Sequence, residues 1–170
     1  MHHRAEPFDT IFVWLSKAGS NGLVWALIAL AVAIAYRRYQ LFGMTLLTIV
    51  VADTSNFALK QVFDRDRPNV RYAEPEPLLH PPSSNSFPSG HAATSFAAAT
   101  VIAAAAPRLR VPLYALAALI AWSRVYVGVH YPLDVLVGAL WGLVLGLLLV
   151  RALPRLARFL LRSLRARRQG

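Results

Sequence analysis

A succession of apolar segments nearly free of charge limits what this chain can fold into. Five are read from the 170 residues: 22–36, 41–59, 91–106, 111–122 and 133–150. A helix needs roughly 17–25 mainly apolar residues to cross a bilayer, where backbone polar groups must be satisfied within the protein. The third and fourth segments are short by that measure and are expected to extend into their flanks. Ahead of the first, 8–18 carries Phe8, Ile11, Phe12 and Leu15 on one face. That pattern suits a helix lying in the interface; a sixth, tilted span is the alternative. The charged fraction is 15%, against about 25% in soluble domains. The predicted fold is all-α: a polytopic transmembrane bundle of five to six helices. It forms a single membrane-embedded domain over 1–170, with 8–18 interfacial, 41–150 as the core and 151–170 as a basic cytoplasmic tail.

Charge placement predicts orientation. A formal net charge of +10 ordinarily suggests nucleic acid, but the basic residues form no stripe, and no nucleic-acid partner is expected. Arg37 and Arg38 follow the first segment, and Arg108 and Arg110 follow the third. Arg151, Arg155, Arg158, Arg162, Arg165, Arg167 and Arg168 crowd the tail, and none of these stretches holds an acid. With five spans all three fall on one side, which positive charge keeps cytoplasmic. Glu6, Asp9, Asp64, Asp66, Glu74, Glu76 and Asp134 fall on the other. The expected location is the inner or plasma membrane, multi-pass, with the C-terminus cytoplasmic. The tail, apolar at Leu153, Leu156, Phe159, Leu160 and Leu164, either lies on anionic lipid as an amphipathic helix or serves as a topology anchor. Residues 1–7 lack the apolar core of a cleavable signal peptide. With no cysteine, neither a disulfide framework nor a thiolate metal site is available.

Three polar clusters stand at the outer ends of the spans. The first, residues 60–68, sets Lys60, Arg65 and Arg67 at the end of the second span. A lysine offers a point charge and an arginine a fork matched to phosphate oxygens, although interface anchors have the same composition. The second is Pro88, Ser89, Gly90 and His91, opening the third span. Ser89 can cap the helix, Gly90 admits close approach of a ligand, and the free first amides make an anion site. A histidine there can equally be a structural hydrogen-bonder. The third runs from Ser123 and Arg124 to His130, Pro132 and Asp134. Pro132 is placed to start a helix, so Asp134 falls in its first turn, near enough to hold the imidazole of His130. An oriented, deprotonated imidazole is a competent nucleophile toward phosphorus.

The three clusters, in this order and spacing, resemble the signature of the type 2 phosphatidic acid phosphatase and vanadium haloperoxidase superfamily. The matching residues are Lys60, Arg67 and Pro68; Pro88, Ser89, Gly90 and His91; and Ser123, Arg124, His130 and Asp134. The resemblance implies that Lys60, Arg67, Ser89, Gly90 and Arg124 bind phosphate. It implies His130 as nucleophile, His91 as acid and base, and Asp134 as the partner of the nucleophile. It implies 41–150 as the catalytic core, with no metal and no cofactor. Members often carry glycine and proline within the first cluster where this chain has Asp64 and Asp66.

The implied activity is hydrolysis of a membrane lipid phosphate or pyrophosphate through a phosphohistidine, at a site facing away from the cytoplasm. Undecaprenyl pyrophosphate is the leading substrate. Phosphatidylglycerol phosphate, phosphatidic acid and a prenyl phosphosugar are alternatives. A vanadate haloperoxidase and a non-catalytic scaffold are the other classes. Headgroup discrimination is expected in the proline-rich loop 69–87, part of the long outer loop 63–88, because long loops often act as lids. Asp134, Gly138, Gly142 and Gly146 form one stripe, expected to pack within the chain, with a dimer seam as the alternative. Asp53, Thr54, Ser55 and Asn56 form a polar island inside the second span. In it Asn56 either orients Lys60 or bonds a neighbouring helix.

Overall fold

The computed structural model describes residues 6–72 and 76–169, with side chains described over 7–72 and 76–153. All the regular elements are helical: α1 (Glu6–Ala18), α2 (Leu23–Ala35), α3 (Gln40–Phe63), α4 (Pro68–Arg71), α5 (Gly90–Ala105), α6 (Arg110–Tyr126) and α7 (Pro132–Gln169). Backbone chemistry marks their ends. Asn21 and Gly22 adopt positive φ before α2, and Arg37 does so in the turn to α3. Asp64 closes α3 in the left-handed region, at φ 34° and ψ 50°. That is a conformation glycine favours, and here the carboxylate offsets it by accepting a 3.0 Å bond from Asn85. Prolines open α4 and α7, where a missing N–H costs nothing.

α5 is the axis of the bundle, packed by α7, α3 and α6. Its alanines make this possible: Ala92, Ala93, Ala97, Ala98, Ala99 and Ala103 are all buried. Alanine favours helix and adds little width. In lipid, helices associate through close packing and hydrogen bonds rather than by escaping water, and the α5–α7 seam is built that way. A Cβ on Gly138 would lie 2.4 Å from the Ser89 carbonyl oxygen, and one on Gly142 2.2 Å from that of Ala93. The glycine stripe thus faces α5 within the chain, as expected. The opposite face of α7 exposes Leu136, Leu140, Val144 and Leu147, an apolar surface suited to lipid. Trp25 of α2 is fully buried and donates its indole N–H to Ser95 on α5 at 3.0 Å. Ser55 of the polar island accepts a 3.1 Å bond from Trp141 of α7.

α3 and α7 are each long and apolar enough to cross a membrane, and α1 and α2 form a pair bent by 59°. α6 extends beyond the apolar segment 111–122, as expected. α5 does not: its 16 residues reach only about 24 Å. Buried over most of its surface, it meets its neighbours rather than lipid, so its length need not match the hydrocarbon. α1 rests on α6, with Phe12 stacked on Tyr126 at 4.2 Å and Asp9 accepting the Tyr126 hydroxyl at 2.8 Å. Phe8, Ile11 and Trp14 are exposed. The expected face of α1 is therefore divided, with Phe12 turned inward. The tail side chains expected to bind lipid, from Leu156 onward, lie outside the described residues.

Candidate active site

The three clusters converge at one end of the bundle. Lys60, Arg67, Gly90, His91, Arg124 and His130 line a single cavity of about 560 Å³. Its walls continue along α3 past Phe57, Asp53, Val50 and Ile49, and across the α1–α2 corner at Gly19, Asn21 and Gly22. Lys60, Arg67 and Arg124 are 7%, 5% and 5% exposed. Buried cations are costly unless paired. The one buried acid among the described residues, Asp134, already serves Arg65 and His130. With Asp53 the one carboxylate in the lining against three cations, the cavity keeps an excess of positive charge, an arrangement that suits a multiply charged anion.

Each cation is held in place by backbone or hydroxyl oxygens. Arg67 donates to the carbonyls of Ser84 at 2.8 Å and Val129 at 2.9 Å. Lys60 donates to the carbonyl of Asn85, whose side chain returns a 3.0 Å bond to the Lys60 carbonyl. Arg124 donates to Ser16 on α1. These tethers leave guanidinium and ammonium protons for a ligand while removing side-chain entropy in advance.

His130 stands just before α7. Its Nδ1 lies 3.4 Å from Asp134 Oδ2, the i,i+4 relation that a helix start at Pro132 provides. Asp134 Oδ2 also accepts the Tyr131 amide at 2.9 Å and the Ser86 hydroxyl. It thereby caps α7 and holds the imidazole at once. Arg67 Nη1 lies 3.2 Å from His130 Nε2. Arginine only donates, so Nε2 must present its lone pair, and the ring proton sits on Nδ1 toward the carboxylate. Burial drives the His130 pKa down to about 4, the hydrogen bond to Asp134 opposes this, and the fields of Arg67, Arg124 and Lys60 add to the lowering. The result is a neutral imidazole with its free nitrogen among cations.

His91 occupies the second position of α5. Its Nε2 lies 3.3 Å from the Ser20 hydroxyl, and a Cβ on Gly19 would come 3.2 Å from its ring and 2.4 Å from Ile120. The α1–α2 corner thus positions this ring as well as Arg124. Ser89 stands at the N-cap of α5 but makes no side-chain cap bond, contrary to expectation. Its backbone N–H donates instead to the Asp134 carbonyl at 2.9 Å, and its buried hydroxyl has no partner. Asn56 makes no bond to Lys60, and its buried amide nitrogen has no partner either.

Several functional neighbours are not evident in the sequence. Ser84, Asn85 and Ser86 come from the loop between α4 and α5, and Ser16 and Ser20 from the first helix and its corner. No spacing rule links them to the motifs. Arg65, grouped in the sequence with Lys60 and Arg67, turns away from the cavity toward Asp134.

Fold and geometry together define a class: a helical membrane protein whose cation-lined cavity, beside an oriented imidazole, suits an anion such as phosphate. The chain belongs to the PAP2 superfamily, whose family model matches residues 39–158. It is similar to an undecaprenyl-diphosphatase of Sulfolobus acidocaldarius, 34% identical over 148 residues, spanning 83% of this chain and 68% of that protein. It is also similar to a decaprenylphosphoryl-5-phosphoribose phosphatase of Mycobacterium tuberculosis, 35% identical over 133 residues, spanning 78% and 73%. Among solved structures, Aquifex aeolicus LpxE superposes with a TM-score of 0.75 at 31% identity, covering 88% of each chain. The protein is thus a membrane phosphatase, a hydrolase acting on phosphate esters or anhydrides.

Proposed function

We propose that this protein hydrolyses a polyprenyl diphosphate at the outer membrane face through a phosphohistidine on His130. The observation that carries the reading is the pair of contacts on one ring, Asp134 at Nδ1 and Arg67 at Nε2. Together they set the tautomer and aim the lone pair into the cation cradle. Nε2 attacks phosphorus in line, and the bond to the leaving lipid phosphate breaks. Arg67 passes from Nε2 to a phosphoryl oxygen as the new P–N bond forms. Lys60, Arg67, Arg124, the unpartnered Ser89 hydroxyl and the Gly90 amide hold the three equatorial oxygens as charge shifts onto them. His91 protonates the leaving oxygen, then takes a proton from the water that displaces phosphate from His130. Asp134 stabilises the imidazolium character that follows attack.

A polyprenyl-linked phosphate is common to both named relatives, and the diphosphate follows the first, an undecaprenyl-diphosphatase, the other being named for a decaprenyl-linked phosphosugar. The cavity continuing along α3 past Phe57 and Val50 gives an isoprenoid chain a path toward the bilayer. The arginines at the opposite ends of the helices support an outward-facing site. The reading takes 1–170 as one membrane domain, with 41–150 catalytic, α1 at the interface and the basic tail inside. A panel of phosphate-release rates tests it, using undecaprenyl diphosphate, a decaprenyl phosphoribose phosphate, phosphatidylglycerol phosphate and phosphatidic acid. The diphosphate is expected to give the highest kcat/KM. A clear preference for a glycerolipid would overturn the substrate assignment.

A further inference from the structure

Asp134 carries an asymmetric set of partners. Its Oδ2 receives the Ser86 hydroxyl, the Tyr131 amide and the His130 ring. Its Oδ1 receives Arg65 Nη1 at 2.7 Å, the one contact recorded for that oxygen among the described residues. The carboxylate is fully buried, whereas the Arg65 side chain is 37% exposed. Arg65 is itself fixed. Its guanidinium lies 4.2 Å over the Tyr131 ring, and its carbonyl accepts the Ser86 amide at 2.8 Å. The left-handed Asp64 just before it ends α3 there. One residue thus ties the end of α3, the outer loop and the start of α7 around a single carboxylate.

We infer that Arg65 is a positioning residue that acts on His130 through Asp134, an inference that rests on the phosphohistidine reading. A carboxylate anchored on both oxygens cannot rotate, so Oδ2 keeps its line to His130 Nδ1 and Nε2 keeps its aim. Without Arg65, Oδ1 is a buried acceptor with no protein donor. The carboxylate then turns toward solvent to satisfy it and draws the imidazole with it. Arg65 does not line the cavity, so it contributes to the phosphorylation step rather than to phosphate affinity. Planarity matters as well as charge, because stacking on Tyr131 needs a flat guanidinium.

A double-mutant cycle tests this, with Arg65→Met, Asp134→Asn and the double variant assayed for phosphate release, and Arg65→Lys as the conservative control. Arg65→Met is expected to lower kcat by about 10- to 100-fold, the scale of one charge-assisted hydrogen bond. The Ki of inorganic phosphate should stay within about twofold, because the cavity cations are untouched. Arg65→Lys should recover part of the loss. The double variant should match Asp134→Asn, since the bond to the carboxylate is the link through which the Arg65 guanidinium bears on His130. Losses that multiply in the double variant, or a Ki that rises in step with the fall in kcat, would overturn the inference in favour of direct phosphate contact. His130→Ala, run alongside, reports on the parent reading. If it stays active, the phosphohistidine fails. If it is dead and the cycle multiplies, only the role of Arg65 fails.

Discussion

Replacing Gly138 with alanine probes the coupling of packing to catalysis. The new Cβ would lie 2.4 Å from the Ser89 carbonyl oxygen and 3.2 Å from the Ala92 methyl. Carbon–oxygen contacts at helix interfaces settle near 3.3 Å, so α7 and α5 must part by about 0.9 Å. The Ser89 carbonyl cannot simply swing aside, because it accepts the Ala93 amide at 3.0 Å in the first turn of α5. His91 rides on α5, and Asp134 with His130 rides on α7, so separation of the helices becomes separation of the site. Overpacking of this kind costs about 1–3 kcal/mol, and a misplacement near 1 Å can cost about 100-fold in rate. We expect kcat for phosphate release to fall about 30- to 100-fold and the thermal midpoint in detergent to drop. Gly43→Ala is the control: its Cβ meets nothing within 4 Å, so activity should persist and stability should rise by about 0.5–1 kcal/mol. Wild-type rate and midpoint in Gly138→Ala would refute the packing argument and point the glycine stripe at a different surface.

Further expectations follow from the same geometry. With His130 depressed to about 4, its ring stays neutral through mildly acidic pH. The acid limb of kcat/KM due to the enzyme should therefore lie near pH 4, with the rate falling only below it. An enzyme limb at the ordinary imidazole value near 6.5 would contradict the burial argument once the substrate's own titration is subtracted. Activity should survive excess chelator, because lysine and arginine fill the electrophilic role. Complete loss that one added divalent ion restores would count against that. Asp134→Asn should retain weak turnover, since it removes the orienting carboxylate but leaves the attacking atom, and a rate equal to wild type would refute the dyad. For sidedness, a cysteine at the exposed Ser83 should react with a membrane-impermeant reagent in intact cells, whereas one at Ser163 should not. The reverse pattern would invert the topology.

The parts of this site legible in the sequence are those fixed within one helix turn. His130 and Asp134 meet because four residues and a proline at a helix start leave little freedom, and Gly90 and His91 open α5 for the same reason. The glycine stripe was legible because its period puts every member on one face. The loop between α4 and α5 was not. Its prolines disfavour regular structure without saying where the chain goes, so the contacts of Ser84, Asn85 and Ser86 with Arg67, Lys60 and Asp134 could not be read. Nor could the α1–α2 corner, whose Ser16 and Ser20 reach Arg124 and His91 across 108 and 71 residues of sequence. The length of α5 misled for a physical reason: a helix wrapped by protein does not obey the bilayer's length rule. Arg65 shows a third limit. Composition places a guanidinium near the site, but a 2.7 Å bond to Asp134, not its spacing, decides which anion it serves.

The central claim is that phosphate passes through His130, and trapping the phosphoenzyme tests it most directly. A phosphate ester with a good leaving group needs no general acid for the first step, so His91→Ala should phosphorylate normally yet hydrolyse slowly. Rapid quenching under alkaline conditions, which preserve phosphohistidine, followed by peptide mass spectrometry should then find phosphate on the peptide carrying His130. The His91→Ala/His130→Ala double variant should show none. Phosphate on any other residue, or undiminished turnover by His130→Ala, would contradict the account.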